Sequence, residues 1–274
     1  MKIVRGQTKA LFPQLRGSLG SMVYPAFAEL KFDGEFCEFH WYWDKEQCQQ
    51  RLFLINKHGT MRSDWSFLDI MKIKLEKKGI SDIIMVGELM YKMGINGDLY
   101  KLLSNKDNNE DLRFIPFDVI RYQGQNLASE PLITRKEILN ELNILQAKPI
   151  VVQNKDEVMK YFHDAIESNF EGIVVKSLEG RYTSGPCDWA KIKNKDQSDY
   201  EVITIDPTRD RIEVLVKKGQ NSNHVCGVKC MPKDKVDLKL GDWVKIEHQG
   251  QLDTGGLRHP VYKRRRNVPS KSRN

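Results

Sequence analysis

Lys31-Phe32-Asp33-Gly34 places a lysine just ahead of an Asp-Gly pair. Asp-Gly favours a tight turn, because glycine adopts backbone angles that other residues avoid, so Lys31 is expected at a strand edge facing whatever the turn frames. Alone, the string is also what a surface lysine beside an ordinary hairpin would give. Further on, Ile83-Ile84-Met85-Val86 runs into Gly87-Glu88, and Glu171-Gly172-Ile173-Val174-Val175-Lys176 has an acid at one end and a lysine at the other. In Trp189-Ala190-Lys191-Ile192-Lys193, strand alternation puts both lysines on one face, where they repel unless an anion lies between them. An amine, two carboxylates expected at strand ends and a lysine pair form a set suited to nucleotidyl transfer. A lysine with a pKa of about 10.4 is neutral only about once in a few thousand molecules at pH 7. Lys191, Lys193 and a Mg²⁺ near Glu171 would have to lower that pKa. The same cations would offset the charge that builds on an attacked phosphate.

The elements that must position these groups follow from periodicity. Between Phe27 and Trp43, Cys37, Phe39, Trp41 and Trp43 alternate with Glu38, His40 and Tyr42, the period of a half-buried strand. Residues 51–55 form a second strand, closed by the polar turn Asn56-Lys57-His58-Gly59. Ser63 opens an amphipathic helix carrying Trp65, Phe67, Leu68, Met71 and Leu75, and Gly79 stops it. Residues 101–111 read as an exposed loop and 113–120 as a strand. Two helices follow with capping boxes, Thr134 with Glu137 and Asn154 with Glu157. Residues 1–26 read as a lead-in that wraps the first strand. From about Lys195 the character changes to short strands at 200–205, 211–216, 225–230 and 242–247, the spacing of a small barrel or sandwich. Two domains are expected, 1–196 and 197–274.

The chain has 274 residues, long enough for a sizeable core, and its composition is that of a globular protein. No apolar run approaches the ~20 residues of a membrane helix, and no secretory signal opens the chain. Five scattered cysteines argue against a disulfide framework and for a reducing, cytoplasmic setting. His224, Cys226 and Cys230 lack the second half of a zinc site. The net charge of +7 resides in Arg258, Lys263, Arg264, Arg265, Arg266, Lys271 and Arg273, seven cations with no acid among them, while the rest of the chain is neutral. Such an end offers counter-charge to phosphates, which favours a nucleic-acid partner.

The order of these segments, from about Ala28 to Arg266, resembles the ATP-dependent polynucleotide ligases of the covalent nucleotidyltransferase superfamily. In that resemblance Lys31 is the nucleophile that carries AMP, Glu88 binds the ribose, Phe117 of Phe117-Asp118-Val119 stacks on adenine and Glu29 helps select it. Lys176, Lys191 and Lys193 contact the cofactor, Lys191 and Lys193 as part of the phosphate-binding strand and also in catalysis, while Glu171 with Glu88 takes the metal. Lys57 and the cations Arg258, Lys263, Arg264, Arg265 and Arg266 would contact nucleic acid. The implied fold is α+β, a nucleotidyltransferase (adenylation) domain joined to a C-terminal oligonucleotide-binding (OB) fold β-barrel. The implied cofactors are ATP and Mg²⁺ or Mn²⁺. The implied partner is nicked duplex nucleic acid, met by a monomer of minimal, core-only type.

Three departures accompany the resemblance. Phe36 stands where the family often has Arg, and Asn56-Lys57-His58-Gly59 where it often has Ser-Arg-x-Gly. Arg266-Asn267-Val268-Pro269 replaces the usual Arg-x-Asp-Lys, with Lys271 or Arg273 left to stand in for the lysine. The competing readings are a ligase for RNA or RNA-containing nicks, a messenger-RNA capping guanylyltransferase, and a nucleic-acid-binding relative without chemistry.

Overall fold

The computed structural model describes residues 11–63, 65–91, 111–168, 170–218, 222–252 and 255–266. The chain parts into two units between Ile192 and Lys193, slightly ahead of the boundary expected from composition. In the first unit the strands are β1 (Pro13–Arg16), β2 (Ala26–Leu30), β3 (Glu35–Asp44), β4 (Gln49–Asn56), β5 (Met61–Arg62), β6 (Ile83–Tyr91), β7 (Leu112–Tyr122), β8 (Gln125–Asn126), β9 (Ile150–Val152), β10 (Gly172–Ser177) and β11 (Gly185–Lys193). Its helices are α1 (Ser66–Glu76), α2 (Leu132–Glu141) and α3 (Lys155–Glu167). Two sheets result, one in the order β1-β11-β10-β2-β9 and one in the order β5-β4-β3-β6-β7-β8.

The Asp-Gly turn does not close a hairpin. β2 belongs to the five-stranded sheet and β3 to the six-stranded one, so Lys31-Phe32-Asp33-Gly34 carries the chain from one sheet to the other. Nor is β3 half-buried. Cys37, Phe39 and Trp41 pack with Phe67, Leu68 and Leu75 of α1 in one core, while Phe36 joins Phe53, Ile55 and Trp189 in another. A central strand covered on both sides takes its polar residues inside. Glu38 and His40 are accordingly buried, and they satisfy each other at 2.8 Å (Oε2 to Nε2) while Glu38 Oε1 accepts the Leu11 N–H at 2.7 Å.

The helix expected from Ser63 begins at Ser66 and ends before Gly79, whose φ of +69° glycine adopts without strain. Asn154 caps α3 as expected, its side chain accepting from the N–H groups of Asp156 and Glu157, with Glu157 accepting from Gln153 N. The other capping box is overturned. α2 starts at Leu132 with Pro131 in the cap position and no side-chain cap. Proline is favoured at a helix start because its φ is already helical and it has no N–H to leave unsatisfied, and that signal placed Thr134 inside the helix. The loop expected at 101–111 lies outside the described residues save for Asp111.

In the second unit β12 (Asp196–Ile205), β13 (Arg211–Lys218), β14 (Ser222–Lys229), β15 (Trp243–His248) and β16 (Val261–Arg265) close into a barrel in the order β12-β13-β14-β16-β15, with α4 (Pro232–Lys235) beside them. Val202, Ile212, Val214, Val228, Val244 and Ile246 fill it, and Cys226 and Cys230 are buried in the same core. The sequence concealed β16. Residues 261–265 of what reads as a basic tail are the closing strand, antiparallel to β15 and meeting β14 in parallel at Lys229 and Val261. Among the described residues no helix is long and apolar enough to cross a membrane.

Candidate active site

Lys31 follows the last residue of β2, and its backbone N–H continues the ladder by donating to Gly172 O at 2.8 Å. Because β10 runs antiparallel to β2, with Ile173 opposite Leu30, the residue entering β10 arrives beside the one leaving β2. That residue is Glu171. Its Oε2 lies 2.6 Å from Lys31 Nζ, with the lysine side chain 20% exposed and the glutamate 5%. The turn then presses against β6. A Cβ on Gly34 would stand 2.3 Å from Leu89 O and 2.8 Å from Glu88 Cγ, so only glycine permits this approach. It lets Gly34 N–H donate to Glu88 Oε1 at 3.1 Å.

Glu88 lies within β6, not at a strand end as expected. Its pKa is pushed up to about 7, chiefly by burial, with the charges of Glu171 and Asp33 adding to the rise and Lys31 and the Gly34 N–H opposing it. Lys31, Glu88 and Glu171 thus form one electrostatic group, with an amine at its outer side.

A second group lies at Glu29, which is buried with Lys136 and Lys176. Lys176 Nζ is 2.5 Å from Glu29 Oε2, and Lys136 Nζ is ion-paired to Oε1. Burial pushes the Glu29 carboxyl up, but the two ammonium groups outweigh it and hold the pKa below its ordinary value. Burial also draws the Lys176 pKa down, against the pull of Glu29. The Lys176 ammonium lies 4.5 Å from the Phe117 ring centre and 4.2 Å from that of Trp189, within cation–π range. Phe117 is half-buried within β7, and Asp118 beside it is tied to Arg135 by two 2.8 Å contacts. Sequence reasoning missed Lys136 and Arg135, both fully buried on α2. Adjacent cations on a helix read as solvated, and the acids they serve lie on β2 and β7.

Lys191 and Lys193 are partly exposed on β11, alternating with buried Ala190. Lys57 is exposed, its Nζ 5.1 Å from the Phe12 ring centre. In the turn before Lys57, Asn56 Oδ1 accepts from His58 N and Thr60 N at 2.9 and 2.8 Å, and Nδ2 donates to Glu35 at 2.6 Å. Phe36 points into the core, edge-on to Phe12 at 4.9 Å. Of the barrel cations, Lys263 pairs with Glu247 at 3.1 Å, Arg265 with Asp242 at 2.8 Å and Arg266 with Asp199 at 3.0 Å. Arg264 is exposed and Arg258 half-buried. Residues 267–274, including Lys271 and Arg273, lie outside the described residues.

The donors at Glu171 and Glu88 are hard carboxylate oxygens, the type Mg²⁺ takes. The raised pKa of Glu88 has Glu171 and Asp33 among its causes, and a divalent cation relieves such crowding. Among the described residues no three His, Cys, Asp or Glu side chains form a metal cluster, and magnesium in nucleotide sites draws its remaining ligands from phosphates and water.

Residues 13–193 match the family model for the ATP-dependent DNA ligase domain. The chain belongs to that family. The match takes in the sheets that hold Lys31, Glu88, Glu171 and Lys176, and stops short of the barrel. A DNA ligase of Thermoplasma volcanium is 30% identical over 186 residues, 61% of this chain but 30% of the relative, so the chain spans under a third of that protein's length. Among solved structures, one titled as a Lig E DNA ligase with a minimal scaffold superposes with a TM-score of 0.70 at 14% identity, covering 94% of this chain and 99% of that one. A Chlorella virus DNA ligase-adenylate gives a TM-score of 0.50 at 16% identity, covering 96% and 99%. At such identities these ligase neighbours speak to fold alone.

Proposed function

We propose that the chain is an ATP-dependent DNA ligase that seals nicks between a 3′-hydroxyl and a 5′-phosphate through AMP carried on Lys31. The observation that carries this reading is the Lys31 amine 2.6 Å from Glu171, inside a family-matched segment and next to a carboxyl of raised pKa. The amine attacks only after losing its proton, and the Glu171 carboxylate is within reach to take it. The Lys31 nitrogen then bonds to the α-phosphorus of ATP as the bond to pyrophosphate breaks, AMP passes to the 5′-phosphate, and the 3′-hydroxyl displaces it. Lys191 and Lys193 offset charge on the phosphates, Phe117 offers a ring face to adenine, and Glu88 meets the ribose. Mg²⁺, held by Glu171 and Glu88, would supply further charge neutralisation. The adenylation domain comprises the two-sheet unit. The closed five-stranded barrel is an oligonucleotide-binding fold that, with Lys57, Arg258 and Arg264, meets nicked duplex DNA as part of a monomer.

The test is incubation with Mg²⁺ and α-labelled ATP without nucleic acid. Wild type should take up acid-labile label, and Lys31→Ala should take up none while still sealing a pre-adenylylated nick. Labelling of Lys31→Ala would refute the assignment of the nucleophile, and preferential labelling from GTP would turn the reading to a capping enzyme.

A further inference from the structure

The group around Glu29 holds two ammonium groups against one carboxylate. All three side chains are about 2% exposed. Asp118, the other buried acid nearby, is committed to Arg135 by two hydrogen bonds. A dry cluster with one unit of uncompensated positive charge is costly unless it faces a partner of opposite sign. Lys136 is the origin of the excess. It stands midway along α2 and reaches the Glu29 oxygen that Lys176 does not use, while its Nζ also donates to Ala147 O at 3.3 Å. Without it, Glu29 and Lys176 would form a neutral pair and the carboxylate could turn both oxygens to Lys176. With it, Glu29 is fixed from two sides, and Lys176 stays against Phe117 and Trp189 with its charge only half answered. Lys136 itself is 1% exposed, so it acts through Glu29 and Lys176 and not by touching a ligand.

We infer that Lys136 is a positioning residue for the nucleotide: by holding Glu29 it leaves Lys176 with the net positive charge that favours binding of ATP, an anion, in the site. This rests on the reading of the site as nucleotide-binding. The predicted signature is a loss in ATP affinity with little loss in turnover, because the charge acts on bound nucleotide before and during reaction alike.

The experiment measures KM for ATP and kcat in self-adenylylation, together with competitive inhibition by neutral adenosine, for wild type, Lys136→Met and Lys136→Arg, each checked for a cooperative melt. Removal of one buried unit charge is expected to raise KM about tenfold in Lys136→Met with kcat changed less than about threefold. Lys136→Arg should return KM to within about threefold of wild type, since the charge is kept. Adenosine carries no phosphate charge, so its inhibition constant in Lys136→Met should stay within about threefold of wild type. A KM unchanged in Lys136→Met would overturn the inference, and so would an adenosine inhibition constant raised as much as KM, which would make Lys136 merely structural. Should Lys136→Met not fold, Lys136→Gln is measured in its place by the same thresholds. A wild-type protein that takes up no label would instead refute the functional reading beneath it.

Discussion

Glu88 carries a carboxyl whose charge changes near neutral pH. Its pKa rises from 4.5 to about 7, foremost through burial. A carboxyl raised on folding favours the folded state fully below its unfolded value, and that advantage is lost as pH climbs through the folded value. Stability should therefore fall between about pH 4.5 and 7 on account of this group, and Glu88→Gln should raise the melting temperature more at pH 8 than at pH 5 in chelator without nucleotide. An equal rise at both values would show that Glu88 is not the group responsible. At this scale the placement of the candidate residues was legible where a short string marks it: Lys31 before Asp-Gly, Glu171 before a β strand, Lys176 near its end. What could not be read was who pairs with whom. Glu29 is answered by lysines on α2 and β10, more than a hundred positions along the chain, and no local pattern records that.

Among the elements, the β6–β7 pair leaves no room for a side chain at its crossing. A Cβ on Gly87 would lie 2.4 Å from Ile115 O and 2.8 Å from Pro116 Cα, where the ladder shifts register between Val86 and Gly87. Proline in an inner strand lacks the N–H its partner would use, so the pairing survives there only by an irregularity that needs a residue without a side chain. Gly87→Ala is expected to cost about 3 kcal/mol in chemical denaturation, against near zero for a substitution on an exposed loop. The helices offer a paired contrast. Asn154→Ala should cost about 1 kcal/mol, because a real cap is lost, whereas Thr134→Ala should stay within about 0.5 kcal/mol. Equal costs would mean that Thr134 caps α2 after all. Both boxes have the same sequence spacing, and Pro131 decides between them. β3 shows the same limit from another side: its alternation is genuine, but whether the polar face meets water depends on a second sheet the strand cannot announce.

For the whole molecule, the described part of the cationic end is a wall of the barrel before it is anything else. Removing residues from 262 onward would take out most of β16 and leave β14 and β15 with open edges, so truncation should unfold the second unit and lower its melting temperature instead of merely weakening nucleic-acid binding. Single substitutions separate the roles. Arg264→Ala, at an exposed cation, should flatten the slope of log K against log salt for nicked DNA by about 0.9 if it meets one phosphate. Lys263→Ala should change it less, since Glu247 already answers that charge. Equal slopes for the two variants would remove the distinction. The route of the chain through the two sheets bears on something else, the order in which the protein is made. β2 leads straight to Lys31, yet its strand partners are β9 and β10, and the carboxylate beside the amine is Glu171. A nascent chain emerges amino end first, so the lysine is exposed on the ribosome long before any of these partners exists. Until residue 177 or so has cleared the exit tunnel, Lys31 has neither its hydrogen bond to Gly172 nor the Glu171 carboxylate beside it, so the nucleotide transfer proposed above has to wait for most of the first unit.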